Sequence, residues 1–110
     1  PSRYSMVQVL EGDRRDEICR VSLSQSQIRD AAAVIVITAA YSRTMVKYGN
    51  RGVRYAHIEV GCAAENIYLQ GISLGIGTCA VGAFDDEKVA AILELPVNEE
   101  PLLMLPLGYV

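Results

Sequence analysis

Residues 71–86, GISLGIGTCAVGAFDD, carry four of the nine glycines of the chain. Glycine-rich loops often cradle phosphate, so the first question is whether this one does. Gly75, Gly77 and Gly82 give G-x-G-x-x-x-x-G, which lies near the dinucleotide fingerprint and the P-loop and fits neither. The order of elements is more informative than the spacing. A dinucleotide loop runs strand, glycine turn, helix, so that a helix N-terminus meets the pyrophosphate. Here Gly75-Ile76-Gly77 follows a helical pattern and enters a strand pattern. The helix end on offer is a C-terminus, whose partial charge repels phosphate. A P-loop would also need Gly-Lys-Ser/Thr, which the sequence lacks. Gly75 reads most simply as a helix C-cap. Gly82-Ala83 is different, because it falls between a strand and a helix. Two small residues in succession let a flat ligand rest against bare backbone, with N–H groups donating to ring atoms. An ordinary strand-to-helix turn is the equal alternative.

Upstream, the periodicity predicts a long helix from Arg54 to Leu74, with apolar residues on most of its circumference. Gly61, Cys62, Ala63, Ala64 and Gly71 would let another helix approach closely. One modest sheet cannot cover both sides of such a helix, so a partner helix from a second subunit is expected. Before it, Tyr4–Leu10 predicts a short strand and Arg14–Leu23 a helix started by Asp13, with Ile18, Val21 and Cys19 inward. SLSQSQIRD (22–30) reads as a linker. Ala33–Ala39 reads as a central strand buried on both faces, and YSRTMVKYGNRG (41–52) as a loop turning at Gly49-Asn50. After it, Ile76–Val81 reads as a strand, 84–95 as a helix capped by Asp85 or Asp86, and Leu102–Tyr109 as the last strand. The fold class is α+β, a mixed sheet packed with helices, in one domain over residues 1–110.

The 110-residue chain is 51% apolar, enough for a real core, and its formal charge of −3 argues against nucleic acid or an anionic membrane as partner. The longest apolar run, Ala31–Ala40, is too short to span a bilayer, and no signal peptide is expected. Cys19, Cys62 and Cys79 lack metal or redox spacing and are read as reduced, buried residues of a cytoplasmic protein. Pro1-Ser2 at the start and an apolar strand at the end are what part of a larger unit would show.

Lys-Tyr-Gly at 47–49, Arg-x-x-Arg-Tyr at 51–55, the small-residue helix and Gly-Ala-Phe-Asp-Asp at 82–86 together resemble the C-terminal half of nitroreductase-fold flavoproteins. The nearer branch resembles the SagB-type dehydrogenases, which include the oxidases that make thiazoles and oxazoles in peptides. Gln25 stands at a typical glutamine position of that pattern. The resemblance implies an FMN-dependent oxidoreductase that works as a homodimer on a small-molecule or peptide substrate, with the long helix at the interface. It implies that Gly82 and Ala83 contact flavin N5 and O4 through backbone N–H groups, with Ala80 and Val81 lining the ring. It also implies that Lys47 and Tyr48 help remove a substrate proton while hydride passes to the flavin, since an ammonium beside a phenol favours its ionised form. A solvated Lys-Tyr pair is the competing reading. His57, Glu59 and Asn66 are expected to be packed or paired on the buried helix. The family's N-terminal half, with its phosphate-binding arginines, has no counterpart here, so no phosphate site is assigned. A non-catalytic dimeric remnant and a ligand-binding regulatory module are the alternatives to an enzyme.

Overall fold

The computed structural model describes residues 8–110. Of the strand expected over Tyr4–Leu10, Tyr4 to Val7 lie outside the described residues, and Gln8 to Leu10 run without regular structure. Helix α1 (Arg15–Arg20) comes first. Its N-cap is Arg14 rather than the expected Asp13, which instead accepts the Arg15 backbone N–H at 3.0 Å from one residue further out. The Arg15 guanidinium clamps the same carboxylate and holds its pKa down to about 2. Because that folded pKa is depressed, the contact is fully present above the ordinary carboxylate range and is lost as pH falls towards 2.

The chain leaves α1 through Leu23 and Ser24, both left-handed at φ 54° and 53°. Successive non-glycine residues in this region are strained, and this tight reversal ends the helix before Leu23. Helix α2 (Ser26–Asp30) then occupies the stretch expected to be a linker. One residue in that polar run explains it, since Ile28 is completely buried. Strand β1 (Ala33–Ala39) has the expected bounds. Helix α3 (Tyr41–Tyr48) replaces the expected loop. No glycine or proline interrupts those eight residues, and the breaker is Gly49, at φ 58°.

Helix α4 (Arg51–Leu74) begins three residues earlier than expected, directly after that break. Its 24 residues span about 36 Å. It ends as expected at Gly75, left-handed at φ 67°, whose N–H reaches back to Gly71 and Ile72 carbonyls. Strand β2 (Ile76–Thr78), helix α5 (Asp86–Ile92) and strand β3 (Glu100–Tyr109) complete the order. Asp85 caps α5, its Oδ1 accepting the Lys88 N–H at 3.1 Å.

Among the described residues the three strands pair in the order β1-β3-β2, all antiparallel, so the sheet there is not the mixed one expected. β3 is the centre, with Met104 and Leu105 completely buried. Among the described residues β1 is an edge, and Ala33 and Ile35 are exposed. A run of β-branched residues reports the capacity to be buried on two faces, not the hydrogen-bonding partners that would place a strand centrally. The main core lies where α1, α2 and α5 meet the sheet, through Ile18, Cys19, Ile28, Val81, Val89 and Met104.

Helix α4 takes little part in that core. Only Gly52, Ala64 and Gly71 of its residues are buried, and Ile58, Leu69, Ile72 and Leu74 are more than half exposed. Cys62 and Cys79 are exposed too, against the expectation of three buried cysteines. Both lie on surfaces that one sheet of this size leaves uncovered. No helix among the described residues is long and apolar enough to cross a membrane.

Candidate functional site

The segment from Cys79 to Asp85 is held by its backbone at four points. Ala80 N–H donates to the Tyr68 hydroxyl at 2.7 Å. Val81 exchanges both backbone hydrogen bonds with Met104, at 2.8 and 2.9 Å. Gln25 Nε2 donates to the Ala83 carbonyl at 3.1 Å and to the Ser22 carbonyl at 2.9 Å. Asp85 N–H donates to the Val21 carbonyl at 2.9 Å. The strained α1–α2 reversal is what brings Val21 and Gln25 to the turn. Between these anchors, the N–H groups of Gly82 and Ala83 find no acceptor among the described residues. Both residues are exposed. The Phe84 N–H finds no acceptor there either, so the turn is a ledge with three successive free donors and almost no side chain above the first two. A Cβ at Gly82 would meet nothing nearer than Leu103 Cδ1 at 3.9 Å. Such a ledge suits the polar edge of a flat ring. Of the two residues expected to line a ring, Val81 is buried and Ala80 is exposed.

Lys47 and Tyr48 end α3 and are both exposed. Lys47 Nζ stands over the Tyr48 ring, 5.1 Å from its centroid, a cation–π contact. The Tyr48 ring meets Tyr55 of α4 edge to face, with centroids 5.0 Å apart. A second brace joins the same helices, where the Tyr41 hydroxyl lies 2.7 Å from His57 Nε2. Partial burial, then the Glu100 and Asp86 carboxylates, hold the Tyr41 phenol above its usual range, so it stays protonated. All three of His57, Glu59 and Asn66 are exposed; His57 is paired with Tyr41 as expected, whereas Glu59 and Asn66 have no side-chain partner among the described residues. Arg43, Lys47, Arg51 and Arg54 have no carboxylate partner among the described residues, whereas Arg14, Arg15, Arg20, Arg29 and Lys88 each have one. These unpaired cations all belong to α3 and the first turns of α4.

The six expected site residues therefore form two groups. Tyr55 and Tyr68 mark where each group touches α4, thirteen residues apart. That is about 20 Å along the helix, and about 220° around it. One chain does not bring Lys47-Tyr48 onto the Gly82-Ala83 ledge.

Sequence reasoning missed Tyr68. The chain reverses at Gly75 and runs back along α4, which brings Ala80 beside Tyr68. What the sequence does not reveal is which side chain of that helical turn faces the strand.

Residues 2–109 match the model of the nitroreductase family. This chain belongs to the nitroreductase family. The family is flavin-dependent. Among relatives, a Methanocaldococcus jannaschii protein named as a nitroreductase is 44% identical over 108 residues, covering 98% of this chain and 54% of its own length. The chain thus spans about half the length of the curated relative it matches. A crystal structure from Anabaena variabilis, also named as a nitroreductase, superposes with a TM-score of 0.81 at 33% identity, covering 89% of this chain and 20% of that one. An E. coli microcin synthetase complex superposes with a TM-score of 0.67 at 26% identity, covering 70% of this chain and 29% of that one. The nitroreductase-like α+β fold expected from the motifs is the fold observed.

Proposed function

We propose that this nitroreductase-family chain forms the ring-binding and interface part of an FMN-dependent oxidoreductase of the SagB type, acting as a homodimer in the cytoplasm. The observation that carries the reading is the pinned turn with free donors at Gly82 and Ala83. The likeness to a microcin synthetase supports the SagB branch, and two exposed free thiols suit a reducing compartment. FMN, when bound, supplies a hydride acceptor at N5. The chain supplies the rest. Gly82 and Ala83 N–H groups hold the ring edge and favour its electron-rich reduced form. Ala80 and Gly82 leave the ring face unobstructed for a small-molecule or peptide substrate. Tyr48, supported by Lys47, receives the proton that the substrate must lose together with its hydride.

Because the two groups sit about 20 Å apart along α4, a complete site needs Lys47-Tyr48 of one copy beside the ledge of another. The uncovered face of α4 provides the contact, with Ile58, Leu69 and Ile72 exposed beside Gly61. A Cβ at Gly61 would meet nothing within 4 Å inside the chain. Gly61→Leu therefore leaves the protomer intact and overpacks the partner helix, at about 1–3 kcal/mol. That weakens the dimer roughly five- to a hundred-fold, read by sedimentation equilibrium. An unmodified protein that stays monomeric at high concentration overturns the dimer.

The chemical reading is tested with Tyr48→Phe in the flavin-loaded protein. Turnover of a substrate that the unmodified protein oxidises falls about 10²- to 10⁴-fold, while bound flavin is unchanged. Equal turnover removes Tyr48 from the chemistry. An unmodified protein that takes up no flavin supports a non-catalytic remnant instead.

A further inference from the structure

We propose that Tyr68 is a positioning residue for the flavin: by taking up the Ala80 N–H, its hydroxyl fixes the plane of the ledge and leaves Gly82 and Ala83 as the two donors that face the ring. The inference rests on the reading of that turn as the flavin contact.

Every other anchor of the turn comes from the core side. Met104 lies on the central strand, and Val21 and Gln25 on the α1–α2 reversal. Among the described residues, Tyr68 is the one anchor from α4, the helix that carries the proposed interface. Its bond to Ala80 is short, at 2.7 Å, and spans twelve residues of sequence. Ala80 is exposed, so without Tyr68 its N–H would turn to water or offer the ring a further, misplaced donor. The peptide plane before Val81 would then be free to rotate, and the amides that follow would lose their aim. A phenol that accepts this bond keeps its own O–H free to donate elsewhere in the cleft.

The substitution that isolates this role is Tyr68→Phe, which deletes one oxygen and keeps the aromatic ring. Because Ala80 is exposed, water can satisfy its N–H, and the melting temperature changes little. A misaimed donor pair costs the reduced flavin more than the oxidised, because hydrogen bonds to the more electron-rich ring are stronger. The expected loss is about fivefold greater for reduced than for oxidised flavin, which moves the two-electron potential roughly 20 mV negative. The visible absorption bands of the bound flavin shift with it. Potential and spectrum unchanged, with flavin still bound, overturn the inference.

Gly82→Val run in parallel separates the two failures. If Gly82→Val keeps its flavin, the ledge is not the flavin contact and both readings fall. If Gly82→Val loses flavin while Tyr68→Phe keeps its potential, only the role of Tyr68 falls. Should Tyr68→Phe fail to fold, hydrogen–deuterium exchange on the unmodified protein decides. The Ala80 amide is then protected with or without flavin, and Gly82 and Ala83 become protected only with it. Fast exchange at Ala80 in the flavin-free protein overturns the inference.

Discussion

Gly52→Ala destabilises the protein by about 2 kcal/mol or more and lowers its melting temperature by roughly 10 °C. A Cβ on Gly52 would lie 2.8 Å from Met45 N, 2.9 Å from the Thr44 carbonyl carbon and 3.0 Å from Met45 Cα. All three are backbone atoms of α3, so no side chain can swing aside, and the two helices must separate. Alanine returns only about 1 kcal/mol through helix propensity. The same separation pulls Tyr48 from Tyr55, so the variant also scatters the Lys47-Tyr48 pair. Differential scanning calorimetry reads the first effect. A melting temperature equal to that of the unmodified protein would mean that α3 does not cross α4 at Gly52.

Gly82→Val has the largest effect on the cofactor. Gly82 does not stand in the left-handed region, and its nearest neighbour across the open side is a flexible side-chain carbon, Leu103 Cδ1. The fold therefore tolerates valine. A ring laid against the ledge does not, because the branched side chain occupies its place. Displacing it costs both ring-edge hydrogen bonds at about 1 kcal/mol each, and with them about thirtyfold or more in affinity. Flavin recovered per mole of protein, measured by absorbance after denaturation, falls accordingly while the melting curve of the flavin-free protein stays put.

The contrast between those glycines shows what the sequence could and could not tell. Helix α4 was legible to within three residues at its start and to the residue at its end, because a long apolar pattern stops at a glycine that can turn left-handed. The bounds of β1 were equally plain, and the cap of α5 was narrowed to Asp85 or Asp86, of which the structure selects Asp85. Short elements were not. α2 rests on Ile28 alone, and α3 carries no apolar stripe long enough to separate it from a polar loop. The edge position of β1 was hidden because hydrogen-bonding partners leave no trace in composition. In the candidate site, Gly82-Ala83 stood out as small residues between strand and helix. The anchors that make the turn rigid did not, since Tyr68, Val21 and Met104 reach it from distant parts of the chain. Gln25 was visible only through its place in the family pattern.

Contact of the Gly82 and Ala83 N–H groups with the flavin ring is read directly by an FMN titration of the ¹⁵N-labelled protein, followed amide by amide. Saturable shifts are expected to be largest at Gly82 and Ala83, with small ones at the turn glycines Gly12 and Gly49. Saturable FMN binding that leaves the Gly82 and Ala83 amides unmoved would contradict it.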